Sequence, residues 1–367
     1  MSRRFQSGGA LREGTFYVSR RADLELPEAL CRGELCHVLA PRQMGKSSLR
    51  LRVDATLRAR GVRSCCVDLS ALGSTEVTPE QWYFGLVDAL ARGLGLGDPV
   101  RFWKSHGLLS PVLRWSRFLQ SEIIEKLEGP VVIFLDEIDA VRSLPFSADD
   151  FFASIRFLFN ARADDPACER LRFCMMGVAT PGELMRDTAR TPFNVGRGIR
   201  LEDFSRDEAA AFLPGLSSEP DDAARLLDNI LHWTEGHPYM THRICEKLVE
   251  ESMSSDLLPA QALVSRLVGD LFQRRGRVED LCLAAVERVF TRGRSQPRMT
   301  EMLILYQRLV TEERVLAVSD DPVQTALCLA GLAAERDDGA SVWVRVRNQI
   351  VANVFDSAWV KERLAAR

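Results

Sequence analysis

Two short stretches carry residue types that could bind and split a phosphoanhydride. The first is Ala40-Pro41-Arg42-Gln43-Met44-Gly45-Lys46-Ser47, set between an apolar run and a helical pattern. A loop of this kind turns backbone N–H groups inward at a helix N-terminus, where phosphate oxygens bind. Gly45 allows close backbone approach, and Pro41 belongs to the same loop. Lys46 brings a point charge to the β- and γ-phosphates, and the Ser47 hydroxyl suits magnesium. Ser48, in the first helical turn, is placed for the α-phosphate. Ala40 stands where the usual pattern begins with glycine, and alanine is small enough to enter the loop from a strand.

The second stretch is Val131-Val132-Ile133-Phe134-Leu135-Asp136-Glu137, an apolar strand that ends in two carboxylates. Asp136 fits a magnesium-holding role, mostly through water. Glu137 is placed to orient and deprotonate an attacking water. Asp139 serves either local structure or a neighbouring subunit. The ligands implied are ATP or ADP with Mg2+.

Less sharply marked are Thr180, after the next strand, and the arginines Arg186, Arg190 and Arg197. Thr180 is either a polar sensor of the γ-phosphate or the N-cap of a helix opening at Pro181, and one residue can do both. Arg197 is the first choice for a phosphate-directed arginine, in cis or in trans; a solvated charge or a salt bridge to Glu202 or Asp203 is the alternative.

Positioning these groups requires strands that alternate with helices. Leu35–Ala40, Ser64–Leu69, Val131–Leu135 and Arg172–Val178 are short, apolar and rich in β-branched residues. Amphipathic stretches at Ser47–Ala59, Glu80–Leu94, Pro111–Leu127 and Asp149–Ala163 separate them. That order predicts βαβ units and a parallel sheet buried on both faces, with Gly198–Leu201 as a fifth strand. From Ser205, followed by Glu208 three residues on, the pattern becomes helical to about Leu271, with turns at Ser254-Ser255-Asp256 and Pro259. Helical segments Leu281–Phe290, Met299–Leu309 and Pro322–Ala330 then lead to a turn at Asp337-Asp338-Gly339. A strand, Ser341–Val346, and a last helix, Val354–Leu364, follow. The fold class expected is α/β: a P-loop NTPase parallel-sheet core over 1–204, a helical lid over 205–275 and a C-terminal winged-helix-like domain over 276–367.

Composition narrows the class. The chain has 367 residues, 46% hydrophobic and 27% charged, with a formal charge of −3, which suits a multidomain globular protein and gives no global pull toward nucleic acid or membrane. No apolar stretch reaches the roughly 18–20 residues of a membrane helix. The N-terminus has no secretory pattern. Nine cysteines without a C-x-x-C pair are expected to be reduced core residues, which points to the cytoplasm.

The chain resembles the bacterial AAA-like branch of the STAND and origin-recognition-type ATPases. Phe16-Tyr17-Val18-Ser19-Arg20-Arg21-Ala22-Asp23-Leu24-Glu25 looks like their N-terminal motif, whose backbone embraces the adenine. Trp233-Thr234-Glu235-Gly236-His237-Pro238-Tyr239 resembles their Gly-x-Pro motif, and Arg190–Arg197 and the C-terminal Trp343–Asn348 are also similar. The resemblance implies base contacts from Val18, Arg20 and Pro238, and a switch in which ADP holds core, lid and winged helix closed. Exchange for ATP then opens the molecule and permits homo-oligomerisation or engagement of an effector or sensor protein. Slow hydrolysis is part of that expectation. His237 is either a nucleotide neighbour or a satisfied core histidine, and Arg347 either reaches the nucleotide or is a structural strand arginine. No effector or repeat sensor is recognisable, so these are separate polypeptides or the chain is a piece of a longer protein.

A DNA-binding ATPase of origin-recognition or transposition-helper type is the alternative. Arg274-Arg275-Gly276-Arg277 and Arg292-Gly293-Arg294-Ser295-Gln296-Pro297-Arg298 form a basic cluster that could neutralise phosphates. Solvated loops balanced by Glu279 and Asp280 explain the same residues. A metabolic P-loop kinase would need an acceptor pocket, for which there is no motif.

Overall fold

The computed structural model describes residues 4–187, 190–252, 259–274, 276–292 and 298–366. The Ser254-Ser255-Asp256 turn, Arg275 and the segment 293–297 lie outside the described residues. The chain divides into two compact units, one of Arg21–Ala40 and Leu49–Leu201, the other of Met1–Arg20, Pro41–Ser48 and Glu202–Arg367.

The first unit is built on a parallel sheet of five strands: β1 (Cys36–Leu39), β2 (Arg63–Asp68), β3 (Val131–Asp136), β4 (Leu171–Gly177) and β5 (Arg197–Gly198), in the order β2-β3-β4-β1-β5. Every residue of β3 is buried. That is why it reads as an unbroken apolar run rather than an alternating one. Trp82, Trp115, Phe151 and Phe152 fill the core beside the sheet. Helix Pro79–Leu94 starts with a Thr78/Gln81 capping box and stops at Gly95 in the left-handed region.

Three expectations need correction here. The fifth strand is shorter and earlier than Gly198–Leu201, although the Ile199 N–H still donates to the His37 carbonyl at 2.9 Å. The helix expected over Pro111–Leu127 is α-helical only for Pro111–Phe118 and then widens to π geometry at Leu119–Ile124. Helix Arg21–Cys31 was not anticipated, because it carries Pro27 inside. Proline costs about 3 kcal/mol in a helix interior, but Ala22, Leu26, Ala29 and Leu30 bury one face at helical spacing, and tertiary burial prevails.

The second unit gathers the N-terminal arm, the loop Pro41–Ser48 and everything after Leu201. Ser205 caps its first short helix through the expected box with Glu208. Helices Pro220–Thr234, Pro238–Ser252 and Ala260–Val268 follow. Then come Leu281–Arg292, Met299–Val310 and Pro322–Ala330, with an antiparallel sheet of β6 (Val315–Leu316), β7 (Ala333–Asp337) and β8 (Val342–Val346) in the order β6-β8-β7. The expected turn is present, with Gly339 at φ 86°. The last helix starts later than Val354, at Ser357–Ala365, because the Asp356 carboxylate caps it by accepting the Trp359 N–H, and a short helix not expected, Gln349–Val354, precedes it. One apolar core runs from Phe5 and Phe16 through Phe212 and Met240 to Phe355 and Trp359. No helix among the described residues is long and apolar enough to cross a membrane. All nine cysteines are unbridged.

Candidate functional site

The loop after β1 turns through two left-handed residues, Gln43 at φ 65° and Gly45 at φ 85°, before helix Lys46–Ala59 begins. A Cβ on Gly45 would stand 3.2 Å from the tip of Arg20, Nη2, a tight but yielding contact, so it is the left-handed backbone that calls for glycine. Lys46 is only 8% exposed, and its Nζ donates to the Pro41 carbonyl at 2.9 Å, across the loop's own mouth. The Ser48 hydroxyl accepts the Leu11 N–H at 3.0 Å.

Arg20 ties this loop to the segment at Glu202. Its Nη1 donates to the Met44 carbonyl at 2.9 Å and to the Glu202 carbonyl at 3.2 Å. Its guanidinium lies 5.3 Å from the Phe204 ring centroid, within cation–π range. Phe204 in turn donates its N–H to the Gly236 carbonyl at 2.9 Å. A Cβ on Gly236 would fall 2.0 Å from the Phe204 carbonyl oxygen, which explains the glycine of Gly236-His237-Pro238. Close packing there seats Pro238 at the start of its helix.

Between these pieces lies a cleft whose cavity volume is about 50 Å³, or about 430 Å³ with all the open space at its mouth. Val18, Arg20, Gly45, Ser48 and Pro238, all singled out from sequence, line it. Pro41, Lys46 and Ser47 belong to the same unit without forming the cleft wall. Phe204 and His242 also line the cleft and had not been picked out. His242 was findable: it stands four residues after Pro238, on the same face of helix Pro238–Ser252.

His237 is a core histidine, 2% exposed, with its pKa pushed down to about 3 by burial and then by the Arg347 charge. Its Nδ1 lies 3.5 Å from the Met240 N–H and its Nε2 3.8 Å from Cys282 Sγ. Arg347 is buried at the end of β8, where its Nη2 donates to Asp203 Oδ1 at 2.5 Å and lies 2.9 Å from Met44 Sδ. Arg336 donates to Asp203 Oδ2 at 2.8 Å and to Glu235 at 3.0 Å. Burial raises the Asp203 pKa, but the charges of Arg347 and Arg336 outweigh it and the net shift is down.

In the other unit, Asp136 ends β3, 8% exposed, and accepts the Glu137 N–H at 3.0 Å. The Arg50 guanidinium is 3.6 Å from its second oxygen. Glu137 holds the left-handed conformation, φ 51° and ψ 45°, uncommon for a residue with a side chain. Asp139 has a local role: its carboxylate accepts the Val178 N–H at 3.1 Å. Thr180 is an N-cap in a reciprocal box, donating from N–H and hydroxyl to Glu183 at 2.9 and 3.1 Å. Arg197 pairs with Glu34 at 3.3 Å rather than with Glu202 or Asp203, and Arg190 pairs with Asp150 at 3.6 Å. In the basic cluster, Arg274 pairs with Asp270 at 3.3 Å. Asp280 is committed to Tyr239 and to the Cys282 and Leu283 N–H groups rather than to a neighbouring arginine.

Residues 5–270 match the family described as AAA-like domain, which takes in the loop, the β3 carboxylates and Gly236-His237-Pro238. The chain belongs to the AAA-like domain family. A WD repeat-containing protein of Synechocystis sp., itself uncharacterized, is 36% identical to this AAA-like chain over 373 residues, covering 98% of this chain and 30% of that protein. The chain thus spans less than a third of that relative's length. A Walker-type ATPase of Pyrococcus abyssi shares the fold, with a TM-score of 0.59 at 17% identity, 94% of this chain and 96% of that one being covered. The Aeropyrum pernix ORC2 protein, in ADPNP–ADP complexes, gives a TM-score of 0.49 at 13% identity over 94% and 91% of the two chains.

Proposed function

We propose that this AAA-like chain is a STAND-type molecular switch. On this reading it binds ATP, hydrolyses it slowly, and uses its nucleotide state to control domain opening and oligomerisation in signalling or defence. The observation that carries the proposal is the cleft, where the phosphate loop meets the N-terminal motif and the Gly236-His237-Pro238 turn within one unit. One ligand lodged there touches three separate stretches of chain, which is what a ligand needs in order to bias one arrangement over another.

The residues suit a nucleotide and its magnesium. Val18, Arg20 and Pro238 would hold the base, and Pro41, Gly45 and Lys46 would receive the phosphates. Ser48 would lie by the α-phosphate, and Ser47 and Asp136 would hold the metal. Bound Mg-ATP supplies a γ-phosphoryl group that can pass to water. Glu137 would take the proton from that water, and Thr180 and Arg197 would respond to the γ-phosphate. Regions 1–204, 205–275 and 276–367 would act as core, lid and winged-helix-like module, with buried Arg347 of the last fastened to Asp203, at the end of the first, near the loop.

A relative 36% identical to this chain is named for WD repeats and is more than three times as long as the match. A switch module joined to a repeat sensor is the arrangement the STAND resemblance implies, so an effector or sensor is the partner we favour over DNA. The described part of the basic cluster is partly neutralised by Asp270, which gives the DNA-binding alternative no added support.

The deciding experiment is to denature the purified protein, identify released nucleotide by chromatography, and measure native mass by light scattering with ADP and with ATP. Co-purified ADP and a rise in mass with ATP support the switch. A protein that is empty and monomeric under both conditions contradicts it. DNA affinity falling steeply with salt moves the origin-recognition reading forward.

A further inference from the structure

His242 is a buried polar side chain that the protein itself leaves unsatisfied. It is 4% exposed, and neither ring nitrogen has a hydrogen-bond partner among the described residues. Its ring is held edge-on by Phe212 at 4.8 Å, Phe5 at 6.2 Å and Phe204 at 6.3 Å. Aromatic packing fixes the ring without offering it an acceptor or a donor. A buried donor or acceptor without a partner is costly, and native proteins keep few of them. This one lines the cleft, beside Val18, Arg20 and Pro238.

The chemistry of the ring narrows what it receives. Burial, reinforced by the nearby Arg20 charge, pushes the His242 pKa down to about 4. At neutral pH the imidazole is therefore uncharged and presents one N–H donor and one bare nitrogen acceptor. Phosphates are better served by Lys46 and the loop amides. A neutral heteroaromatic edge, which also carries donors and acceptors, matches a neutral imidazole. Pro238 lies one helical turn before His242, so a base packed on the proline would bring its edge toward the histidine.

We propose that His242 hydrogen-bonds the base edge of the bound nucleotide and makes the cleft select for a base rather than for phosphate alone. The inference rests on the nucleotide reading above and adds to it a residue that fixes base specificity. A water molecule trapped on His242 would relieve the same nitrogens, and the two accounts differ in what the ligand feels.

The test compares ADP with inorganic pyrophosphate by calorimetry on the whole chain and on His242→Phe, which keeps an aromatic ring among the phenylalanines. The expected result is ADP affinity lowered about 3- to 10-fold, the value of one hydrogen bond, with pyrophosphate affinity unchanged. His242→Gln, which retains a donor and an acceptor, is expected to recover part of the ADP affinity. ADP binding indifferent to His242→Phe overturns the inference, as does equal weakening of both ligands, which would mark a structural role. Failure of the unsubstituted chain to bind ADP at all overturns the nucleotide reading itself, and this inference with it.

Discussion

Arg347 and Asp203, 144 positions apart in sequence, meet at 2.5 Å with side chains only 5% and 6% exposed. Arg336 shares the same carboxylate. Removing one partner of a buried ion pair strands the other's charge and costs about 3–5 kcal/mol. Arg347→Met is expected to lose about 3 kcal/mol in urea unfolding. Asp203→Asn should lose more, because it leaves Arg347 without its carboxylate and Arg336 with Glu235 alone. Equal stability of all three proteins would show that the cluster is solvated.

Acid should act on the same cluster. The folded Asp203 pKa lies below its unfolded value, near 3.9, so the folded state binds this proton less readily. The stabilisation is complete above that unfolded value and is lost as pH falls through the folded one. Asp203→Asn should therefore flatten the most acidic part of the stability curve. An unchanged acid limb would remove Asp203 from this role.

The buried histidines act at milder acidity. His37 and His242 have pKa values pushed down to about 4, and His237 to about 3, each chiefly by burial. Unfolded histidine titrates near 6.5, so below that pH the unfolded chain takes up protons that the folded chain refuses. Stability is then lost as pH drops from about 6.5 toward 4, by up to about 1.4 kcal/mol per pH unit for each group. Unfolding curves at pH 7 and pH 5 measure it, and His242→Phe should make the difference smaller.

At the phosphate loop, Lys46→Ala should abolish nucleotide binding measured by calorimetry. Retained ATP affinity would sink the assignment of the loop. Glu137→Gln should keep ATP bound and stop phosphate release; ordinary turnover in that variant would take the base role away from Glu137.

Gly236→Ala tests the seat of Pro238. Its Cβ would overlap the Phe204 carbonyl, and its φ of 79° disfavours any side chain. A loss of more than about 1 kcal/mol is expected, together with weaker ADP binding. Wild-type stability would show that the backbone there yields freely.

What could be read in advance followed local rules. Strands β1 to β4 announced themselves because both faces of the sheet are covered, and Ser205 with Glu208 because a capping box is a four-residue pattern. The cleft residues Arg20, Gly45 and Pro238 were marked by motifs. Helix Arg21–Cys31 was hidden by Pro27, whose local cost is outweighed by burial of one face. The start of the last helix at Ser357 was hidden because a capping carboxylate, Asp356, next to a helical pattern looks like a surface charge. The Arg347–Asp203–Arg336 cluster depends on tertiary proximity between distant segments, which no local pattern carries. The ion pair weighed as an alternative for Arg197, with Glu202 or Asp203, missed Glu34 for the same reason, since Glu34 lies 163 residues earlier.

Phe5 and Phe16 stack on one another at 4.6 Å and rest edge-on against Phe212. On the ribosome, that platform emerges roughly 200 residues after the rings that need it, a wait of about 10–40 s at ~5–20 residues per second. Throughout that interval Phe5 and Phe16 lack the Phe212 ring that covers them. This stretch ahead of the phosphate loop therefore finds its place only after residues far downstream of it have been made.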